Sequence, residues 1–271
     1  MLITGLFGQG ILEEQQKTLF SDERTIGANL NSNGFGVSYR YARYMDYRNR
    51  WHYDIDFDYI KHPKEYTSVI SYSSDYQIYT KRFVYGKENL FWEIKGYIGR
   101  HKELYSKHDA SSISIKLFYS GGISLGFQKP IYYDIVTYNS IGEIVDFRVK
   151  KFDLSDHVYN FGGTASFLMG FDELKVIPGL TVKGGFNFEY SKKEPIVHAL
   201  EVGLGLTVYP TDIEIMATEE TNFFFFKMYL GYRFGNIIDI SDKGKLKTRK
   251  EKHQERKAAM KQMPSNRILN L

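Results

Sequence analysis

The chain has 271 residues and no cysteine; 16% of it is aromatic, with 22 Tyr and 20 Phe against only 6 Pro. That length suits one substantial domain, and the lack of cysteine excludes disulfides, thiol nucleophiles and thiolate metal sites. The net charge of +4 is concentrated between Lys243 and Lys261, so the near-neutral body argues against a nucleic-acid-binding domain.

Mean hydropathy is −0.38, and nowhere do ~18 apolar residues run together, which excludes a membrane-spanning helix. A strand-built span is not excluded, because two alternating faces cancel in such an average. Rings and glycines favour strands and tight bends over helices.

From the start, Met1 to Gly10 reads like the end of a secretory apolar region with its small-residue cleavage site. Residues 1–20 are therefore expected to be a signal-peptide remnant and N-terminal segment. The first predicted strand, 24–30, alternates weakly. In 34–45 the pattern is plain: Phe35, Val37, Tyr39 and Tyr41 alternate with Gly36, Ser38, Arg40 and Ala42. In 50–60 the odd positions Trp51, Tyr53, Ile55, Phe57 and Tyr59 alternate with His52, Asp54, Asp56 and Asp58. Such a strand has one face for lipid or a core and one for water.

Further along, 89–101 sets Leu90, Trp92, Ile94 and Ile98 against Glu93, Lys95 and Gly99. Segment 112–128 carries Ile113, Ile115, Leu117 and Tyr119 against Ser112, Ser114 and Lys116. Next, 179–191 alternates Leu180, Val182, Phe186 and Phe188 with Thr181, Lys183, Asn187 and Glu189. Then 197–209 alternates Leu200, Val202, Leu204 and Leu206 with Glu201, Gly203 and Gly205. The last, 222–235, sets Phe224, Phe226, Met228 and Leu230 against Lys227, Gly231 and Arg233. Eight such strands, an even number, can close an antiparallel barrel without an edge.

Connection lengths support closure. One side receives 31–33, 61–88, 129–178 and 210–221; the other receives 46–49, 102–111 and 192–196. Bacterial outer-membrane barrels have short periplasmic turns and longer outer loops. The fold expected is therefore all-β: a closed antiparallel transmembrane β-barrel over 21–238, with long outer loops and a basic, periplasmic, partly helical or disordered tail over 239–271. The competing reading is a soluble sandwich or lipocalin-like barrel. Against it stand the aromatics near strand ends, fit for a membrane-interface girdle, and the small residues of the polar faces, fit for a narrow lumen.

An eight-stranded barrel is just wide enough for inward side chains to fill it. The expected lumen charge network comprises Arg40, Asp54, Asp56, Asp58, Lys95, Lys183 and Arg233, with Glu93, Lys116, Glu189, Glu201 and Lys227 also inward. Charges of both signs in a tight lumen should pair, because an unpaired buried charge is costly. An ion path is the competing use of these charges. Signatures of catalysis are missing. Asp153, Asp156 and His157 share a loop without a nucleophile elbow, and Lys61-His62-Pro63-Lys64-Glu65 offers too few metal ligands. No enzyme activity, cofactor or metal is expected. Loop 129–178 is too long for an idle connector and carries apolar stretches, so it is either a self-packed lid or a partner surface.

Four stretches carry a family resemblance: Asn31 to Tyr41, Lys61 to Glu65, Ser120 to Pro130 and Gly170 to Gly179. Together they resemble a family of Bacteroidota outer-membrane barrels of largely hypothetical proteins, over nearly all of the chain up to Gly235. That family is in turn similar to the accessory barrel of the outer-membrane barrel-assembly machinery. The resemblance implies a non-catalytic structural or scaffold subunit of an envelope assembly or secretion complex. It also implies contact with outer-membrane lipids, the barrel insertase and surface lipoproteins. The type-nine secretion apparatus offers a rival setting, and a small pore or rim-located enzyme is the alternative function.

Overall fold

A computed structural model describes residues 21–46, 48–74, 77–106, 112–139, 144–156, 158–191, 196–217 and 222–239. The expectations for 1–20, His157 and the tail beyond Asp239 lie outside these residues. Among the described residues thirteen strands form, and eight of them close a barrel: β1 (Ser21–Asn31), β2 (Gly34–Tyr44), β3 (Asn49–Ile60), β6 (Asn89–Tyr105), β7 (Ser114–Pro130), β11 (Lys175–Glu189), β12 (Ile196–Ile213) and β13 (Asn222–Asp239). Each of the eight contains most or all of one strand predicted from parity. All barrel pairings are antiparallel, and the barrel closes where β1 meets β13 over an unbroken register from Ser21↔Asp239 to Asn31↔Tyr229.

The barrel is inside out relative to a soluble protein. On β3, Arg50, His52, Asp54, Asp56 and Asp58 are buried, while Tyr53, Ile55 and Phe57 between them are exposed. The same alternation runs round the wall, leaving Leu30 and Leu180 each 70% exposed and Ile123 63%. A continuous apolar wall of this extent needs hydrocarbon rather than water beside it. At ~3.3 Å per residue and a ~45° tilt, an 11-residue strand rises about 26 Å, enough for the ~25 Å apolar band of such barrels. Outward aromatics pair across strands near both rims: Phe35 with Tyr59 at 5.5 Å and Trp92 with Phe127 at 6.3 Å near one, Tyr41 with Tyr53 at 6.4 Å near the other. This is the girdle that membrane interfaces select.

Tight strand contact explains the glycines of the inward face. A Cβ at Gly36 would lie 2.1 Å from Asp58 Oδ1, and Gly34, with φ +151°, would strike the Tyr59 carbonyl at 1.9 Å. Gly34 and Gly36 thus serve close packing.

The long connections lie at one rim, as their lengths predicted, and the described parts of the two longest are folded, as the lid alternative allowed for loop 129–178. The 61–88 connection forms a hairpin, β4 (Thr67–Ser74) with β5 (Gln77–Val84). Loop 129–178 supplies β8 (Tyr132–Tyr138), β9 (Ile144–Lys151) and β10 (Phe161–Thr164), ordered β10-β8-β9 in one small sheet. The two share a core of Phe83, Ile131, Tyr133, Ile135, Phe152 and Phe161. Phe83 stacks on Phe161 at 5.5 Å with ring planes 5° apart. Of the apolar residues of loop 129–178, expected to form either a self-packed lid or a partner surface, Ile131, Tyr133, Ile135, Phe152 and Phe161 are used in this core, whereas Phe167, Leu168, Met169 and Phe171 stay exposed.

Candidate functional site

β3 measures out the lumen from rim to rim. At the rim away from the head, Arg50 contacts Glu23 at 2.5 Å and Lys116 pairs with Glu189. One pair of residues deeper, His52 packs on His101 with ring centroids 4.3 Å apart, and Arg40 Nη1 lies 3.1 Å from His101 Nε2. Among the described residues, neither ring nitrogen of His52 has a hydrogen-bond partner.

The middle of the lumen is an ion cluster. Arg40 grips Asp54 with two hydrogen bonds of 2.7 Å, and its Nη1 donates to Glu201 at 2.7 Å. Arg233 Nε donates to the same Glu201 oxygen at 2.7 Å. Lys183 sits 2.8 Å from both Asp54 and Asp56. Tyr229 adds its hydroxyl to Glu201 at 3.2 Å. Nearer the head, Asp58 receives Lys227 at 2.6 Å and Lys95 at 3.1 Å, and Lys95 also pairs with Glu93. Five cations, Arg40, Lys95, Lys183, Lys227 and Arg233, therefore meet five anions, Asp54, Asp56, Asp58, Glu93 and Glu201. All ten are buried, and Arg40 is only 1% exposed. Each charge has an opposite partner, on another strand in every case but Glu93, which pairs with Lys95 of its own strand, and burial of that many ions requires such pairing.

The seven residues expected to form the lumen network all lie inside the barrel. Glu201 was singled out only as one inward charge among several, yet it joins Arg40 to Arg233. The register of β12 places it beside Gly231 and Asn187.

Above the ions, the lumen turns apolar. Ile60, Phe91, Tyr209, Ile213, Ile215 and Met216 form a layer across the head-side mouth, backed by Val84, Ile177 and Phe225. Tyr209 joins the two layers: its ring lies 5.7 Å from Phe91, and its hydroxyl donates to Glu93 at 2.6 Å. Inward aromatics such as Phe91, Tyr97 and Phe118 break the simple charged-inside rule. Phe91 lies over Gly126, and Phe118 packs against His52 and His101.

The head is held to this mouth through backbone hydrogen bonds. Glu88 N donates to Ile215 O at 3.0 Å, Ala217 N to Gly86 O at 2.8 Å and Ile131 N to Glu88 O at 2.8 Å. Buried Lys87 donates to Glu65 at 2.6 Å, and Glu65 accepts from the His62 amide at 2.9 Å, so the Lys61–Glu65 motif is a structural corner. The Tyr133 hydroxyl reaches the carbonyls of Val84 and Lys87 at 3.0 and 2.7 Å, and burial pushes its phenol well up. In the loop considered for catalysis, Asp153 accepts the Ser155 amide at 2.9 Å and Asp156 pairs with Lys150 at 2.7 Å. Among the described residues no group of three or more His, Asp or Glu is placed to hold a metal ion.

These features define a class: a closed transmembrane β-barrel whose lumen is filled with paired charges and capped by a folded head. No family model matches the sequence, and no curated protein matches it. Among solved structures, the chain is similar to Ail, the attachment invasion locus protein of Yersinia pestis, with a TM-score of 0.38 and 8% identity over 80% of this chain and 98% of that one. It is also similar to Neisserial surface protein A, with a TM-score of 0.33 and 10% identity over 81% and 96% of the two chains. The N-terminal β-barrel domain of Pseudomonas aeruginosa OprF gives 0.31 and 7% identity over 81% and 98%. The assignment of the fold rests on the strand register described above.

Proposed function

We propose that the chain is a non-catalytic structural subunit of the Gram-negative outer membrane, in which an inert barrel anchors a head that scaffolds other envelope proteins. One observation carries this reading. The lumen is obstructed twice, by the ion cluster and by the apolar layer, while the two longest connections build a single folded body at one rim. A barrel filled in this way leaves little to a pore, and a head with its own core presents a rigid surface for recognition. Barrels with short turns at one rim and long connections at the other belong to bacterial outer membranes, with the long connections facing outward. The sequence resemblance to Bacteroidota barrels supports an assembly or secretion complex, with the barrel insertase and surface lipoproteins as partners.

The test is purification of the tagged, full chain from its native membrane in mild detergent. Stoichiometric envelope proteins should accompany it. The hairpin and the small sheet share one core, so removing 135–165 alone would strip Ile135, Phe152 and Phe161 from Phe83. The informative variant therefore replaces both 66–85 and 132–173 with short linkers, which should leave the barrel inserted and abolish co-purification. A barrel that purifies alone, or one that conducts steadily in a planar bilayer, would overturn the proposal.

A further inference from the structure

The outward column of β7 runs Ile115, Leu117, Tyr119, Gly121, Ile123, Leu125, Phe127 and then Lys129. The lysine is thus one step beyond the aromatic pair Trp92 and Phe127 that ends the lipid-facing wall. Lys129 is 2% exposed, covered by Phe167 and Phe171, whose ring centroids lie 4.9 and 5.1 Å from its Nζ. Its remaining polar contact is a long 3.5 Å bond to the Pro130 carbonyl. Among the described residues it has no carboxylate partner. Nearby Glu173 is occupied by Tyr132 and Lys151. A buried ammonium without an anion is an arrangement that folding alone does not favour.

Two further observations point to what completes it. A cavity of about 240 Å³ opens beside Lys129, between the head hairpin and the turn before β11. Its lining contains three cations, Arg82, Lys87 and Lys129, and no carboxylate. Lys87 is paired with Glu65, but Arg82 forms no ion pair among the described residues. The turn itself exposes Phe167 at 61%, Leu168 at 76%, Met169 at 43% and Phe171 at 41%. It is continuous with the lipid-facing wall, because Phe171 lies 6.4 Å from Trp92 and Phe167 packs edge-on to Phe171 at 5.4 Å.

We propose that this corner is a lipid-binding site. The anionic, phosphate-bearing head group of a lipid in the head-side leaflet sits in the cavity on Lys129 and Arg82, and its chains run past Phe167, Leu168 and Phe171 along the wall. A lysine beside aromatic rings at a membrane interface can hold its ammonium at head-group level while its stem stays in the apolar layer. The turn thereby fixes the head against the membrane surface. This inference rests on the barrel spanning the membrane and is independent of the scaffold role.

The full chain, purified in detergent supplemented with phosphatidylglycerol, would be analysed by native mass spectrometry. The expected result is one tightly retained phosphatidylglycerol, with phosphatidylcholine retained less well. The double variant R82Q/K129Q should lower retention about tenfold or more, the loss expected for charge-assisted hydrogen bonds. L168S/M169S should lower it with both cations intact. Unchanged retention in R82Q/K129Q, or no retention by the parent chain, would overturn the site. Displacement of the lipid by excess inorganic phosphate would show an anion site to which the chains contribute nothing, which also overturns it. A second measurement is independent of retention. Because the chain has no cysteine, a nitroxide at Leu168→Cys in nanodiscs reports on that position alone. Its access to oxygen over a water-soluble nickel chelate should match Ile123→Cys on the wall. A match to Val69→Cys on the head would place the turn in water and sink the proposal.

Discussion

The barrel and the head are built from the same residue types arranged in opposite senses. In the barrel, Arg40, Asp54 and Glu201 are buried and Ile55, Leu180 and Leu30 face outward. In the head, Phe83, Phe152 and Phe161 are buried, and Lys150, Lys151 and Arg148 sit in half-exposed or exposed ion pairs. The contrast shows that burial follows the solvent each part meets. Where hydrocarbon surrounds the wall, the hydrophobic effect supplies nothing by turning rings inward, so the lumen is specified by charge pairing. Where water surrounds the head, an ordinary apolar core does that work.

Four substitutions sharpen or break this comparison. The largest effect is expected at Glu201. Replacing it with Ala leaves Arg40 and Arg233 short of an anion, at a cost of about 3–5 kcal/mol. Denaturant unfolding from lipid vesicles measures it, and a near-neutral result would mean that water, not pairing, sustains the lumen. Phe161→Ala removes a head ring at an expected cost of about 3–5 kcal/mol, confined to the head. Hydrogen exchange should show β8 and β10 amides losing protection while barrel amides keep theirs; loss in both would make head and barrel one cooperative unit. Ile55→Arg, at the middle of the lipid-facing wall, should destabilise by about 2–4 kcal/mol in the same vesicle assay. Val69 is as exposed as Ile55, at 62% against 60%. Yet Val69→Arg should stay within about 0.5 kcal/mol of the parent, because it meets water. Equal costs at these two positions would refute the assignment of their surroundings.

Much of the barrel was legible in the sequence because period-two alternation survives whichever solvent lies outside. The strand over 50–60 is the clearest case: the Asp54-Asp56-Asp58 series cannot share a face with Ile55 and Phe57. The lumen charges were legible for the same reason, although their partners were not. Arg40 meets Glu201 across 161 positions of chain, a juxtaposition that only register and closure create. The head was hidden. Its strands are short, and Thr67-Ser-Val-Ile-Ser-Tyr shows no clean alternation, since its core is assembled from one or two residues of each element rather than from one face. The apolar layer at the mouth was hidden as well. Ile213, Ile215 and Met216 lie in a predicted connection, and Phe91 on a face that should have been polar.

The ions of the lumen have a consequence for time as well as for energy. Arg40 on β2 reaches Glu201 on β12, Lys183 on β11 reaches Asp54 and Asp56 on β3, and Lys227 on β13 reaches Asp58 on β3, all between strands that are not neighbours in the sheet. No pair across the bore can exist while the wall is an open sheet. These contacts therefore form after the seam between β1 and β13 has met, and they must break before it parts. Interactions made only after the rate-limiting step slow the way out and leave the way in unchanged. With seam closure as the rate-limiting step, the filled lumen is expected to act as a latch, slowing the opening of the barrel more than it speeds its closing.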